Sequence, residues 1–130
     1  IFIHTDVTFE QLRSLYVESP IYWHASGYGE NEQRDPIKLE HFGITTVEAM
    51  AAYCVPVVIA KGGQTEVIRH GHNGFLWNDV GELIALTERL IRDPVLRWSM
   101  ARTAFANSRE FDEAHFHACL TKYLQPLNLA

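Results

Sequence analysis

Cysteine is scarce in this 130-residue chain: Cys54 and Cys119 stand far apart, with no close Cys or His spacing around either. That excludes a disulfide framework and gives no zinc pattern, so two buried free thiols in a reducing, cytoplasmic setting are expected. Long apolar runs are also lacking. No run, Val55 to Ala60 included, approaches the roughly 20 residues that span a bilayer, and no signal-peptide pattern precedes it. Positive charge is in deficit, with 11 Lys and Arg against 16 Asp and Glu for a net charge of -5. A broad nucleic-acid footprint is thereby excluded, because backbone binding needs clustered Lys and Arg. A small anion could still bind locally. Lys61-Gly62-Gly63-Gln64 is not a Walker loop, since no Lys-Ser or Lys-Thr follows the glycines.

What is present fits one soluble globular domain with a real core: 47% hydrophobic and 21% charged residues. The chain opens without Met on Ile1-Phe2-Ile3-His4, a β-rich run of the kind found inside a sheet, and is expected to be a piece of a longer protein. Thr8 is suited to cap a helix from Phe9 to Tyr16, and Ile21-Tyr22-Trp23-His24 reads as a second strand. The polar stretch Ala25 to Lys38 is too long for an ordinary connection. A helix from Gly43 to Ala52 gives way to Pro56-Val57-Val58-Ile59-Ala60, a run typical of a strand buried on both faces of a parallel sheet. Then come a tight turn at Lys61-Gly62-Gly63, a short helix Gln64 to His70, a turn at Gly71 to Gly74 and a fourth strand, Phe75-Leu76-Trp77. Helices Val80 to Arg92, Val95 to Asn107 and Phe111 to Leu124 complete the chain. The fold class implied is α/β, a Rossmann-like parallel sheet with flanking helices and a helical C-terminal end, with ligands beyond the carboxyl ends of the strands.

Glu40 and Glu48 stand eight positions apart, with Gly43 where a helix should begin. Free N–H groups and the macrodipole at a helix start favour a phosphate, and glycine lets a ligand approach the backbone. A carboxylate readily accepts the vicinal hydroxyls of a ribose, and a second can hold hydroxyls elsewhere on the same ligand. Spacing alone fits equally well a solvated loop acid and an exposed helix acid. His70 and His72 flank a glycine in a turn, and His115 and His117 point to different helix faces, so neither pair makes a metal site. Trp23, Trp77 and Trp98 read as packing residues before sugar platforms.

The stretch Glu40-His41-Phe42-Gly43-Ile44-Thr45-Thr46-Val47-Glu48 with Ala49-Met50-Ala51, then Pro56-Val57-Val58, Gly62-Gly63-Gln64-Thr65-Glu66-Val67-Ile68 and Gly71-His72-Asn73-Gly74-Phe75-Leu76, resembles family 4 glycosyltransferases in order and spacing. The resemblance covers about Ile1 to Asn107. It implies a retaining enzyme of GT-B architecture, residues 1–130 being a truncated C-terminal domain that binds a nucleotide diphosphate sugar. By position, Glu40 would contact the donor sugar as the catalytic residue. The backbone around Phe42, Gly43, Ile44 and Thr45 would meet sugar and diphosphate, Glu48 would bind the ribose, and His4 would line the base pocket. No cofactor or metal is implied, and no Asp-x-Asp motif occurs. A saccharide, lipid or other acceptor would enter through an N-terminal domain outside this chain, leaving the fragment inactive alone. The full-length protein would be cytoplasmic or peripheral to a membrane. The family's phosphate-binding Arg and Lys lie upstream of this chain, and its connection into the glutamate motif is often shorter than Ser26 to Leu39. That loop could shape the pocket or be plain surface. A nucleotide-sugar epimerase of the same architecture and a non-catalytic nucleotide-sugar-binding or interaction module are the alternatives.

Overall fold

The computed structural model describes residues 2–127. Helix α1, Phe9–Glu18, starts at Thr8, whose hydroxyl accepts the Gln11 N–H at 3.3 Å while Gln11 Oε1 accepts the Thr8 N–H at 2.8 Å. This reciprocal pair satisfies donors that a helix start leaves without intrahelical partners. The opening strand is not formed. Phe2 and Ile3 are 92% and 86% exposed and belong to no ladder, and Ile1 lies outside the described residues. β propensity does not order a segment that has no neighbouring strand to pair with.

Three parallel strands make the sheet, in the order β1 (Ile21–His24), β2 (Val55–Ile59), β3 (Phe75–Trp77), so the strand expected as fourth is the third. Trp23 pairs with Val57 and Val57 with Phe75, which sets the three strands in register. Helices α2 (Ile44–Ala51) and α3 (Gln64–Val67) fall between the strands, and α4 (Val80–Arg92), α5 (Pro94–Ser108) and α6 (Glu113–Leu124) follow them. Central β2 is buried along its whole length because both sheet faces are covered. Its side chains alternate between two clusters, as a period of two requires. Val55, Val57 and Ile59 join Phe75, Trp77, Leu90, Met100 and Ala101. Val58 joins Met50, Val67, Ile68 and Ala104 on the other side.

Asp93 separates α4 from α5 by accepting the Leu96 N–H at 2.9 Å, with Pro94 at a position where no N–H is needed. Of the tryptophans only Trp77 is core, its indole N–H donating to the Val57 carbonyl at 3.3 Å. Trp23 and Trp98 are 58% and 60% exposed, contrary to the packing role expected of all three. Trp23 sits on an edge strand and is held by its indole N–H on Thr87 Oγ1, while Trp98 stacks on Tyr53 at the surface. Cys54 is a buried free thiol, but Cys119 is only half-buried because α6 buries none of its residues. No helix among the described residues is long and apolar enough to cross a membrane.

The polar stretch after β1 is tied down across the carboxyl end of β2. Lys61 Nζ donates to the Gly27 and Glu30 carbonyls, and the Gly62 N–H donates to Glu32 Oε1 at 3.1 Å. Tyr28 lays its ring against Trp77 with centroids 5.6 Å apart. A single 3₁₀ turn, Pro36–Lys38, then leads into Glu40. The loop therefore fixes the approach to the motif that follows it.

Candidate functional site

The Glu40 segment is shaped by two glycines on the β2–α3 turn. The Gly63 N–H donates to the Glu40 carbonyl at 2.8 Å, and a Cβ at Gly63 would lie 2.2 Å from the His41 carbonyl oxygen. A Cβ at Gly62 would lie 2.4 Å from the Glu40 carbonyl oxygen. Real side chains do not tolerate such distances to backbone atoms, so the two loops can meet only because both residues are glycine. The next turn depends on Gly43, whose φ of 92° and ψ of 48° are left-handed, and which caps α2. Glu40 closes that turn with its own side chain. Its Oε1 accepts the N–H groups of Phe42 at 3.3 Å and Gly43 at 3.1 Å.

Two of the backbone donors expected to meet a ligand are therefore already occupied by Glu40. Ile44 and Thr45 differ: their N–H groups make no hydrogen bond among the described residues, and they stand at the positive end of α2. Burial by itself would raise the Glu40 carboxyl, but the Phe42 and Gly43 N–H groups and nearby His24 hold it below the usual carboxylate range. Glu40 is thus an ionised acceptor with 31% of its side chain exposed, enough for Oε2 to face a ligand.

Glu48 lies one turn further along α2, and the Tyr16 hydroxyl donates to its Oε2 at 3.4 Å. Burial, then the neighbouring Tyr22 and Glu48, push the Tyr16 hydroxyl upward, so it stays protonated and able to donate. Glu48 and Tyr16 border a depression of about 540 Å³ with Leu12, Arg13, Tyr53 and Trp98. The Tyr22 hydroxyl donates to Thr45 Oγ1 at 2.8 Å and orients the residue whose N–H is free. Phe42 is 43% exposed and meets Phe111 edge-on at 5.4 Å. Ile44 is 63% exposed at the mouth of the same turn.

The structure thus brings Glu40, Phe42, Gly43, Ile44, Thr45 and Glu48 together around the start of α2. It does not bring His4 to them. His4 is exposed and borders a separate depression with Glu10, Gln11 and Ser14. Among the described residues no group of three or more His, Cys, Asp or Glu is placed to hold a metal ion.

Sequence reasoning missed Tyr16, Tyr22, His24, Thr46 and Gln64, which orient this site. Gln64 is fully buried, accepts the Thr46 hydroxyl on Oε1 at 2.9 Å and places Nε2 3.2 Å from His24 Nδ1. His24 Nε2 lies 3.6 Å from Glu40 Oε2. One signal was available: Tyr22 and His24 are two apart on a strand and so share a face, the face covered by α2.

Known proteins resemble this chain in sequence and fold. The sequence model described as "Glycosyl transferases group 1" matches residues 1–107. The GDP-Man:Man(3)GlcNAc(2)-PP-Dol alpha-1,2-mannosyltransferase of Dictyostelium discoideum is 33% identical over 89 residues, covering 68% of this chain and 18% of that enzyme. Among solved structures, the C-terminal domain of the glycosyl transferase group 1 family protein LpcC from Francisella tularensis aligns with TM-score 0.67 and 26% identity. That alignment covers 82% of this chain and 50% of LpcC. HepE of Anabaena, solved in complex with UDP, aligns with TM-score 0.72 and 27% identity over 86% of this chain and 29% of its own. The chain spans about a fifth of the length of the mannosyltransferase it matches. Its parallel sheet with flanking helices is that of a GT-B C-terminal domain.

Proposed function

Because this chain belongs to the glycosyl transferases group 1 family, we propose that it is the donor-binding, truncated C-terminal domain of a glycosyltransferase of family 4 type. The enzyme transfers a sugar from a nucleotide diphosphate sugar to an acceptor hydroxyl with retention of configuration. The observation that carries this reading is the first turn of α2, where the free N–H groups of Ile44 and Thr45 lie between the carboxylates of Glu40 and Glu48.

Two N–H groups at the positive end of a helix suit a diphosphate. Glu48, with one oxygen steadied by Tyr16, accepts the ribose hydroxyls. Glu40 uses Oε1 to hold its own loop and keeps lone pairs on Oε2 for hydroxyls of the transferred sugar. The charge that builds on the leaving diphosphate is offset by the α2 dipole and by basic side chains, with no metal in the scheme. The acceptor enters through an N-terminal domain, so this chain alone has no transferase activity.

The mannosyltransferase relative is named for GDP-Man and HepE was solved with UDP, so the donor base is tested openly. Full-length protein is titrated with UDP, GDP and ADP sugars, with and without acceptor, beside its Glu48→Ala variant. Transfer that disappears in Glu48→Ala, with the product anomer matching the donor by NMR, is the expected result. Binding without turnover in the wild type identifies a non-catalytic module instead, and an epimerised donor identifies an epimerase.

A further inference from the structure

Glu40 has two oxygens with different duties, and the one free for a ligand faces His24. Oε1 is taken by the Phe42 and Gly43 N–H groups, while Oε2 lies 3.6 Å from His24 Nε2. A ring nitrogen lone pair turned toward a carboxylate would be repelled, so Nε2 carries the proton. The remaining partners follow in turn. In a neutral imidazole Nδ1 is then an acceptor, and the group 3.2 Å from it is the donor amide Nε2 of Gln64. Gln64 Oε1 in turn accepts the Thr46 hydroxyl. Thr46 and Gln64 are both fully buried, so the chain from Thr46 to His24 has no water to replace a lost bond. Burial lowers the imidazole from its ordinary value, against an opposing pull from Glu40, in keeping with a neutral ring.

We propose that His24 is a positioning residue for the transfer reaction, its Nε2–H orienting Glu40 Oε2 toward the donor sugar while Gln64 and Thr46 lock its tautomer. The proposal rests on the reading of Glu40 as the sugar contact. His24 touches no donor atom in this scheme. It fixes the direction of an acceptor oxygen whose partner Oε1 is already anchored to the backbone. A sugar hydroxyl then meets an Oε2 lone pair held in direction from both sides of the carboxylate, and small errors in such placement cost rates on the order of 10²-fold.

The test uses full-length enzyme and two isosteres of different meaning. His24→Gln keeps a donor near the Nε2 position, His24→Asn keeps an acceptor near the Nδ1 position, and His24→Phe keeps neither. His24→Phe and His24→Asn are expected to lower kcat on the order of 10- to 100-fold with little change in KM, and His24→Gln to restore most of the rate. The loss on His24→Phe should vanish in a Glu40→Gln background. Nitrogen-15 NMR of the wild-type protein near neutral pH, which needs no variant, should find the His24 proton on Nε2. A proton on Nδ1, or equal losses for His24→Phe with and without Glu40, overturns the proposal. Transfer unaffected by Glu40→Gln sinks the Glu40 reading and this inference together, whereas a collapse on Glu40→Gln with normal His24→Phe sinks the inference alone.

Discussion

Gly43→Ala tests whether the turn at the start of α2 is held both by a left-handed backbone and by the buried amide beneath it. With φ at 92° and ψ at 48°, residue 43 occupies a region where a Cβ costs about 1–2 kcal/mol. The added carbon would also stand 3.0 Å and 3.1 Å from Gln64 Nε2 and Oε1. Those are tip atoms and can move, but Gln64 is fully buried and its amide is bonded to Thr46 on one side and His24 on the other. Breaking one of those bonds while the amide stays buried costs about 1–3 kcal/mol. The expected loss for Gly43→Ala is therefore about 2–5 kcal/mol. Gly71 supplies the control, because its φ is 78° and a Cβ there would meet nothing within 4 Å. Gly71→Ala should cost the backbone contribution alone, about 1–2 kcal/mol. In urea unfolding, with a slope of about 1–3 kcal/mol per molar, the Gly43→Ala midpoint should fall by about 0.7–5 M and clearly further than that of Gly71→Ala, measured at the same slope. Equal midpoint shifts would refute the claim that Gln64 props the turn. A wild-type midpoint for Gly43→Ala would refute the backbone contribution as well.

Acid should weaken the fold in two stages. His24 is held below its ordinary 6.5 by burial, partly offset by Glu40. Glu40 is held below 4.5, its burial outweighed by the Phe42 and Gly43 N–H groups and His24. Both groups bind fewer protons folded than unfolded, so their stabilisation is present above those ordinary values and is lost as pH falls through the folded ones. A Tm followed by circular dichroism should begin to fall as pH drops below about 6.5 and fall again below about 4.5; a level or rising Tm contradicts this. The two thiols should also separate: burial pushes Cys54 up to about 11 and its S–H donates to the Tyr16 carbonyl at 3.1 Å, whereas Cys119 is half-buried. Iodoacetamide at about pH 8 should label Cys119 and spare Cys54 in native protein, and equal labelling by mass spectrometry would show that the Cys54 pocket is not closed.

Much of the fold was legible because its signals are local. Thr8 and Asp93 announce helix starts through their own side chains, and the β2 run is apolar throughout because both faces of a central strand are covered. The opening run misled for the opposite reason: Ile1 to His4 has strand propensity, but a strand exists only with a neighbour, and that neighbour cannot be inferred from the run itself. Trp23 and Trp98 misled similarly, since residue type does not say whether a neighbouring element covers that face of an edge strand or of a helix. Around the site, the spacing of Glu40, Gly43 and Glu48 was readable, as was the helix start between the carboxylates. That Glu40 spends one oxygen on the Phe42 and Gly43 N–H groups was not, because it depends on the path of the turn.

By itself the amino-acid sequence determined the α/β alternation, the helix start at Gly43 and the glutamates around it, all written in short-range period, capping and turn chemistry. The tertiary structure decided which atoms of those residues remain free. His24 and Gln64 are 40 residues apart and meet because parallel strands bring the carboxyl ends of β1 and β2 to one end of the sheet, whereas Tyr16 and Glu48, 32 apart, meet between helices α1 and α2. Such contacts leave no local periodicity in the chain, since each partner obeys the pattern of its own element. The close approach of Gly62 and Gly63 to the Glu40 loop belongs with them, because two backbones packed together show up in sequence only as two residues without side chains.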